Sequence, residues 1–308
     1  MFKIPNLPSP EADITELSDF AEIECFKKGF ISKQEMISKL GRIEENDIVN
    51  GNPIDSSTAD RVDDVFSAIE ERNKYCNGAY PFCIIAPGYL MKINENVSEK
   101  SLIIYVFLLL ATRFDMNKQK IKSDIDATLL FEHVSANVAA CYLGDRAKQY
   151  VMGTSADAGS FETKVDALCQ EMKEGGGYQN RNSAPMTQIK DDAVDIVVWK
   201  SFSDNFPGKL IAFGQCKTGT SWEQQLTSLQ PDSFTRSWFK DQPVVPPIRM
   251  FFVADAVNRS EWSHKANKAG VLFDRFRIMD FSKEIAGGNL ESIKKWLSQA
   301  RIDIASEN

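Results

Sequence analysis

A chain of 308 residues with 43% apolar content can bury one large core or two modest ones. Its net charge of -7 has the wrong sign for a protein that coats nucleic acid by charge alone. Two histidines and six scattered cysteines, without a CxxC pair, argue against zinc centres, His-based triads and a disulfide framework, so buried free thiols are expected.

Residues 1 to 12 carry three prolines and read as a loose arm. Helical spacing follows over Asp13 to Lys28 (Ile14, Leu17, Phe20, Ile23) and over Ser32 to Arg42 (Met36, Ile37, Leu40). Asn50-Gly51-Asn52-Pro53 is a loop signal, after which Ser56-Ser57-Thr58 can cap a helix through about Tyr75. Pro81 to Met91, around Pro87-Gly88, reads as a short β-like or irregular piece. Ser98 to Phe114 is apolar nearly all round and predicts a buried helix. Its apolar run Leu102 to Ala111 has only about half the length a bilayer span needs, and the start of the chain lacks the basic and apolar regions of a signal peptide, so a cytoplasmic, non-membrane protein is expected. Asp124 to Tyr150 repeats the helical pattern. The first half therefore predicts an all-α region, residues 1–152, without chemistry of its own.

The texture changes near Gly153, where a second domain, residues 153–308, is expected. Gly159-Ser-Phe-Glu162 opens an amphipathic helix that Gly175-Gly-Gly177 ends. Two β-prone runs, Asp195-Ile-Val-Val-Trp199 and Leu210 to Lys217, flank a polar connection containing Pro207-Gly208 and predict a hairpin. A short helix at Ser221, a strand over Pro246 to Ala254, a helix over Ser260 to Ala269, a strand over Val271 to Phe281 and a closing helix over Asn289 to Ala300 complete an α/β pattern, a mixed sheet flanked by helices.

The hairpin concentrates the chemistry. Alternation along a strand puts Gln215 and Lys217 on one face, with Ile211 and Phe213 before them and Asp195 across the connection. Phosphodiester hydrolysis needs a divalent cation at the scissile phosphate, an activated water and positive charge where the transition state builds negative charge. Mg²⁺ takes oxygen ligands, one or two carboxylates among them. Asp195 offers a carboxylate, Gln215 an amide oxygen, Cys216 its main-chain carbonyl and Glu162 a second carboxylate, while Lys217 can orient the water.

The order Glu162, Asp195, Gln215-Cys216-Lys217 resembles the PD-(D/E)xK, or restriction-endonuclease-like, nuclease superfamily, in the Gln-x-Lys variant of Mrr-type restriction enzymes and antiviral effector nucleases. The resemblance covers about Gly159 to Asp280, departs at Val194, where proline is usual, and has Gln215 in place of a carboxylate. It implies a restriction-endonuclease-like domain acting as a Mg²⁺- or Mn²⁺-dependent endonuclease on DNA, with RNA as an alternative substrate, and a role in defence or restriction. A catalytically silent DNA-binding or scaffolding subunit is the other class of function. The acidic chain suggests delivery to substrate by a protein partner or by self-assembly through residues 1–152. Basic residues gather late, at Arg236, Lys240, Arg249, Arg259, Lys265, Lys268, Arg275 and Arg277, so polyanion contacts are expected there: Arg275 and Arg277 can contact phosphates or equally form a local salt-bridge network, and Trp222, Arg236 and Trp238 can stack on bases or the sugar-phosphate backbone, although helix packing is the commoner fate of tryptophan. Asp191 and Asp192 read as loop acids, and Cys216, on the opposite strand face from Lys217, as a core thiol.

Overall fold

Helix α1 (Ile14–Lys28) starts where the Asp13 carboxylate accepts the Thr15 amide at 2.7 Å and stops where Gly29 turns left-handed at φ 90°. The computed structural model describes residues 1–47, 56–86, 88–153, 159–181 and 193–306; the loop signal at Asn50 to Pro53, Pro87, Asp191 and Asp192 lie outside them. Strand β1 (Phe30–Ser32), helices α2 (Lys33–Asp47) and α3 (Ser56–Tyr75) and strands β2 (Phe82–Ile85) and β3 (Leu90–Ile93) come next. The first half is therefore not all helical. β1 and β2 flank β3 in a three-stranded antiparallel sheet, because Ala86 (φ 52°) and Gly88 (φ 83°) reverse the chain between two apolar runs too short to wind into helices.

Ser98 caps α4 (Glu99–Arg113) by accepting the Ser101 amide at 3.1 Å, and the helix is buried from Ile104 to its end. A two-stranded ribbon, β4 (Ile121–Lys122) and β5 (Ile125–Asp126), leads into α5 (Ala127–Leu143), where the Asp126 carboxylate receives the Thr128 amide at 2.8 Å. The helical expectation over Asp124 to Tyr150 fails at both ends. Gly144 (φ 79°) and Arg146 (φ 64°) take left-handed backbone that an α-helix cannot continue, and residues Ala147–Val151 become strand β6.

Helix α6 (Phe161–Met172), strands β7 (Ile196–Lys200) and β8 (Ile211–Lys217), helix α7 (Pro231–Trp238), strand β9 (Ile248–Val253), helix α8 (Trp262–Ala269), strand β10 (Val271–Phe273) and helices α9 (Arg275–Met279) and α10 (Gly287–Ser306) complete the chain. The last expected strand is cut at Phe273 because Asp274 caps α9, its carboxylate accepting the Arg277 amide at 3.1 Å.

The main sheet is five-stranded and mixed, in the order β10-β9-β8-β7-β6. β6 pairs with β7 and β7 with β8 antiparallel, whereas β8 pairs with β9 and β9 with β10 parallel. β8 is thus central and covered on both faces, which is why it reads as a near-continuous apolar run. Ile211 and Phe213 pack with Val165, Leu168, Phe234 and Trp238 of α6 and α7. Ala212 and Cys216 face the other core, which Phe2, Phe20, Phe107, Phe252 and Ile304 share, so side chains from both ends of the chain close over one side of the sheet. Gly214 is required by closeness rather than by backbone angle. A Cβ there would stand 2.5 Å from Ile196 Cγ1 and 3.4 Å from a Phe252 ring carbon. Gly214→Ala is expected to cost about 1–3 kcal/mol, measurable as a lower urea midpoint at unchanged m-value.

A buried ion network ties the two halves together. Asp19, fully buried on α1, accepts from Arg72 at 2.7 Å, Arg113 at 2.8 Å and Arg275 at 2.8 Å. Glu22, one turn on, receives Arg72 at 2.7 Å and the hydroxyls of Tyr80 at 2.6 Å and Tyr105 at 2.9 Å. Burial first, and then the Glu22 charge, push both phenols well above their usual range, so they act as donors.

Candidate functional site

The β7–β8 pair sets the geometry. Ile196 stands opposite Gly214 and Val197 opposite Phe213, and continuing this register by one residue brings Asp195 to Gln215 on the same face. The Asp195 backbone is held on both sides: its N–H donates to the Gly214 carbonyl at 3.0 Å, and its carbonyl accepts the Met152 amide at 2.8 Å. Its carboxylate Oδ2 accepts the Cys216 N–H at 2.6 Å, so the acid lies against the Gln215–Cys216 peptide. Gln215 is 1% exposed, and its Oε1 accepts the Ser228 hydroxyl at 2.8 Å. Lys217 closes the strand half-buried, on the Gln215 side, its carbonyl accepting the Ala254 amide at 3.2 Å.

Cys216 turns to the opposite face. Burial, then the charges of Asp195 and Glu132, push its thiol well above the usual value, so it stays protonated and is core rather than nucleophile. The same influences locate a residue that sequence reasoning passed over. Glu132, on α5, lies close enough to Cys216 to act on it together with Asp195. A Cβ on Gly153, just past β6, would overlap the Glu132 carboxylate. The signal for it was present: Glu132 is the one Asp, Glu, Lys or Arg between Ala127 and Leu143, an isolated acid in an otherwise apolar and small-residue helix.

Glu162 is placed differently. It is exposed in the first turn of α6, and its charge acts on the Tyr178 hydroxyl, which burial first and then Glu162 raise. None of the contacts described above joins it to Asp195 or Gln215.

The basic C-terminal stretch is largely used inside the fold. Arg275 is fully buried on Asp19 and the Ala254 carbonyl and has no surface to offer a phosphate, which corrects its reading as a contact. Arg277 donates to the Leu272 carbonyl at 2.9 Å and lies 4.2 Å from the Trp262 ring centre. Arg249 bonds the Ala269 and Leu229 carbonyls, Arg259 pairs with Asp274 at 2.8 Å, and Lys265 with Glu223 and Glu261 at 2.6 Å each. Arg236 is exposed and paired with Asp232 at 2.9 Å. Trp222 and Trp238 are both 2% exposed and serve packing, Trp222 donating to Asp255 at 3.0 Å and Trp238 meeting Phe161 edge to face at 5.1 Å. Charge clustering along the chain is not charge clustering on the surface.

Among the described residues no group of three or more His, Cys, Asp or Glu side chains is placed to hold a metal. The sheet end offers the Asp195 carboxylate, the Gln215 amide oxygen and main-chain carbonyls, and a second carboxylate, Glu132, approaches from the Cys216 side. An all-oxygen set with two carboxylates fits Mg²⁺ or Mn²⁺, whose remaining positions water and substrate phosphate fill, and does not fit zinc. Cys25, Cys76, Cys83, Cys141, Cys169 and Cys216 are all free thiols, and among the described residues no helix is long and apolar enough to cross a membrane.

No protein-family model matches the chain, and no curated protein matches it. Among solved structures, that of the restriction endonuclease FokI is similar over 93% of this chain and 46% of its own, at 11% sequence identity and a TM-score of 0.24. The chain thus spans about half the length of that structure. A likeness of this size carries no conclusion about fold or chemistry, and the architecture stands on its own geometry: a mixed α/β chain with a five-stranded mixed sheet.

Proposed function

We propose that this chain is a restriction-endonuclease-like, metal-dependent nuclease that hydrolyses phosphodiester bonds in DNA. The observation that carries the reading is the Asp195 carboxylate seated on the Cys216 amide, between Gln215 and Lys217 at the end of the central strand. Asp195 and Glu132, with the Gln215 amide oxygen and the Cys216 carbonyl, would hold Mg²⁺ or Mn²⁺. The ion, when bound, supplies a Lewis acid for the phosphoryl oxygen and lowers the pKa of a water.

The chain's own residues do the rest. Lys217 orients the attacking water and offsets negative charge growing on the phosphorus. Ser228 holds the Gln215 side chain by donating to its oxygen. The Cys216 amide fixes the Asp195 rotamer, so the carboxylate is positioned before substrate arrives. With an amide where the resemblance has a carboxylate, the site carries one negative charge fewer and should bind metal more tightly once substrate phosphate joins it. A role in defence or restriction follows from the resemblance of Asp195 and Gln215-Cys216-Lys217 to Mrr-type enzymes, with delivery to substrate by a partner or by self-assembly.

Supercoiled plasmid incubated with the purified protein and Mg²⁺ or Mn²⁺ tests the reading. Nicked or linear product that disappears with EDTA is expected. Cleavage that persists in EDTA, or in Asp195→Ala, would show that another centre does the work. Cleavage of RNA with plasmid left intact would move the substrate from DNA to RNA.

A further inference from the structure

A cleft of about 430 Å³ opens beside the residues that follow Lys217. Thr218, Thr220 and Ser221 form one wall, and Lys3, Asn117 and Lys120 from the first half of the chain form the other. The one acid on its wall, Asp115, lies 3.8 Å from Lys118. In a chain of net charge -7 this is a local reversal of sign.

Lys3 is the telling residue. Its ammonium donates to the Thr112 carbonyl at 2.6 Å, yet among the described residues no carboxylate lies within 4.0 Å of it. Burial, and next the nearby Arg113, lower its pKa against the opposing pull of Asp255, Asp115 and Glu16. The 218–221 segment is built around it. Gly219, at φ 76°, sends its N–H to the Ala111 carbonyl at 3.2 Å, and a Cβ there would stand 3.5 Å from the Lys3 ammonium. Lys120, across the cleft, is paired with Asp126 at 2.8 Å, so Lys3 is the cation left to meet an incoming anion. Hydroxyls, an amide and an ammonium around an open cleft are the usual donors to a phosphodiester backbone.

We propose that this cleft seats a phosphate of the nucleic-acid strand adjoining the scissile one, with Lys3 as its counter-ion and the Thr218 and Thr220 hydroxyls as donors. The inference rests on the nuclease reading and extends it: residues 1–152 supply one wall of the substrate groove. The strand enters along the side of the sheet where the two halves of the chain meet.

Fluorescence anisotropy with labelled single-stranded and duplex oligonucleotides, in EDTA and across 50 to 200 mM salt, tests it. Lys3→Gln keeps a donor for the Thr112 carbonyl and removes the charge. It is expected to weaken binding about 5- to 10-fold at the low-salt end and to reduce the slope of log K against log salt by about one. Thr220→Asp places a negative charge on the other wall and should weaken binding at least as much, which keeps the test valid if Lys3→Gln disturbs folding. In plasmid cleavage both variants should raise KM with kcat within about twofold of wild type. Wild-type affinity and salt slope in both variants, beside normal wild-type cleavage, would overturn the cleft and leave the nuclease reading standing. A wild-type protein that neither binds nor cuts any nucleic acid would remove both.

Discussion

Lys217→Ala is expected to lower the single-turnover cleavage rate by about 10²–10³-fold, while oligonucleotide affinity in EDTA stays within about threefold of wild type. The asymmetry follows from position. Lys217 ends the central strand half-buried, on the face of Gln215 and one peptide from the Asp195 contact, and among the described residues it has no carboxylate within 4.0 Å. A cation held there has little to gain from a ground-state phosphate that the proposed metal would already neutralise, and most to gain from the extra charge of the transition state. Lys217→Arg should recover little, because a planar, delocalised guanidinium does not reproduce the compact point charge of the ammonium at that point. An equal loss of binding and rate in Lys217→Ala would instead make the residue a substrate anchor.

The largest stability effect is expected at Asp19. Asp19→Ala leaves Arg72, Arg113 and Arg275 buried without the carboxylate they share, and should cost about 3–5 kcal/mol in urea denaturation. The pH dependence has a definite sign. Burial alone would raise the Asp19 carboxyl, but Arg275, Arg113 and Arg72 together hold it far below the usual carboxylate range. A depressed folded pKa favours the ionised native state, so this contribution is complete above the unfolded value of about 3.9 and is lost progressively as pH falls below it. The wild-type urea midpoint should therefore drop steeply between about pH 4 and pH 2, and that of Asp19→Asn less steeply. Parallel pH profiles for the two proteins would show that the network contributes packing rather than charge.

How far the sequence led can be judged at particular residues. The hairpin was legible because Ile196 to Trp199 and Ile211 to Gln215 are β-prone and bounded by Pro207-Gly208, and strand alternation then fixed which side chains share a face. α1, α3 and α4 were legible from apolar spacing and caps. β6 was not, because residues 147 to 151 continue the composition of the helix before them, and only the left-handed turn at Gly144 and Arg146 and pairing with β7 make them a strand. Glu132 was passed over for a related reason. Glu162 precedes the hairpin on a capped, amphipathic helix, the expected setting, whereas Glu132 lies before β6 on a helix that packs across β6, β7 and β8. Arg275 is the sharpest case. Its neighbour in the fold, Asp19, lies 256 residues away, and nothing local distinguishes an arginine bound for a buried carboxylate from one bound for a phosphate.

Single-turnover cleavage by wild type, Asp195→Asn, Glu132→Gln and Glu162→Gln, at saturating Mg²⁺ on one plasmid, tests the centre most directly. Rates reduced by at least about 10²-fold in Asp195→Asn and Glu132→Gln, with Glu162→Gln within about twofold of wild type, are expected if the oxygen donors at the end of β8 form the working site. Wild-type rates in both Asp195→Asn and Glu132→Gln would contradict it.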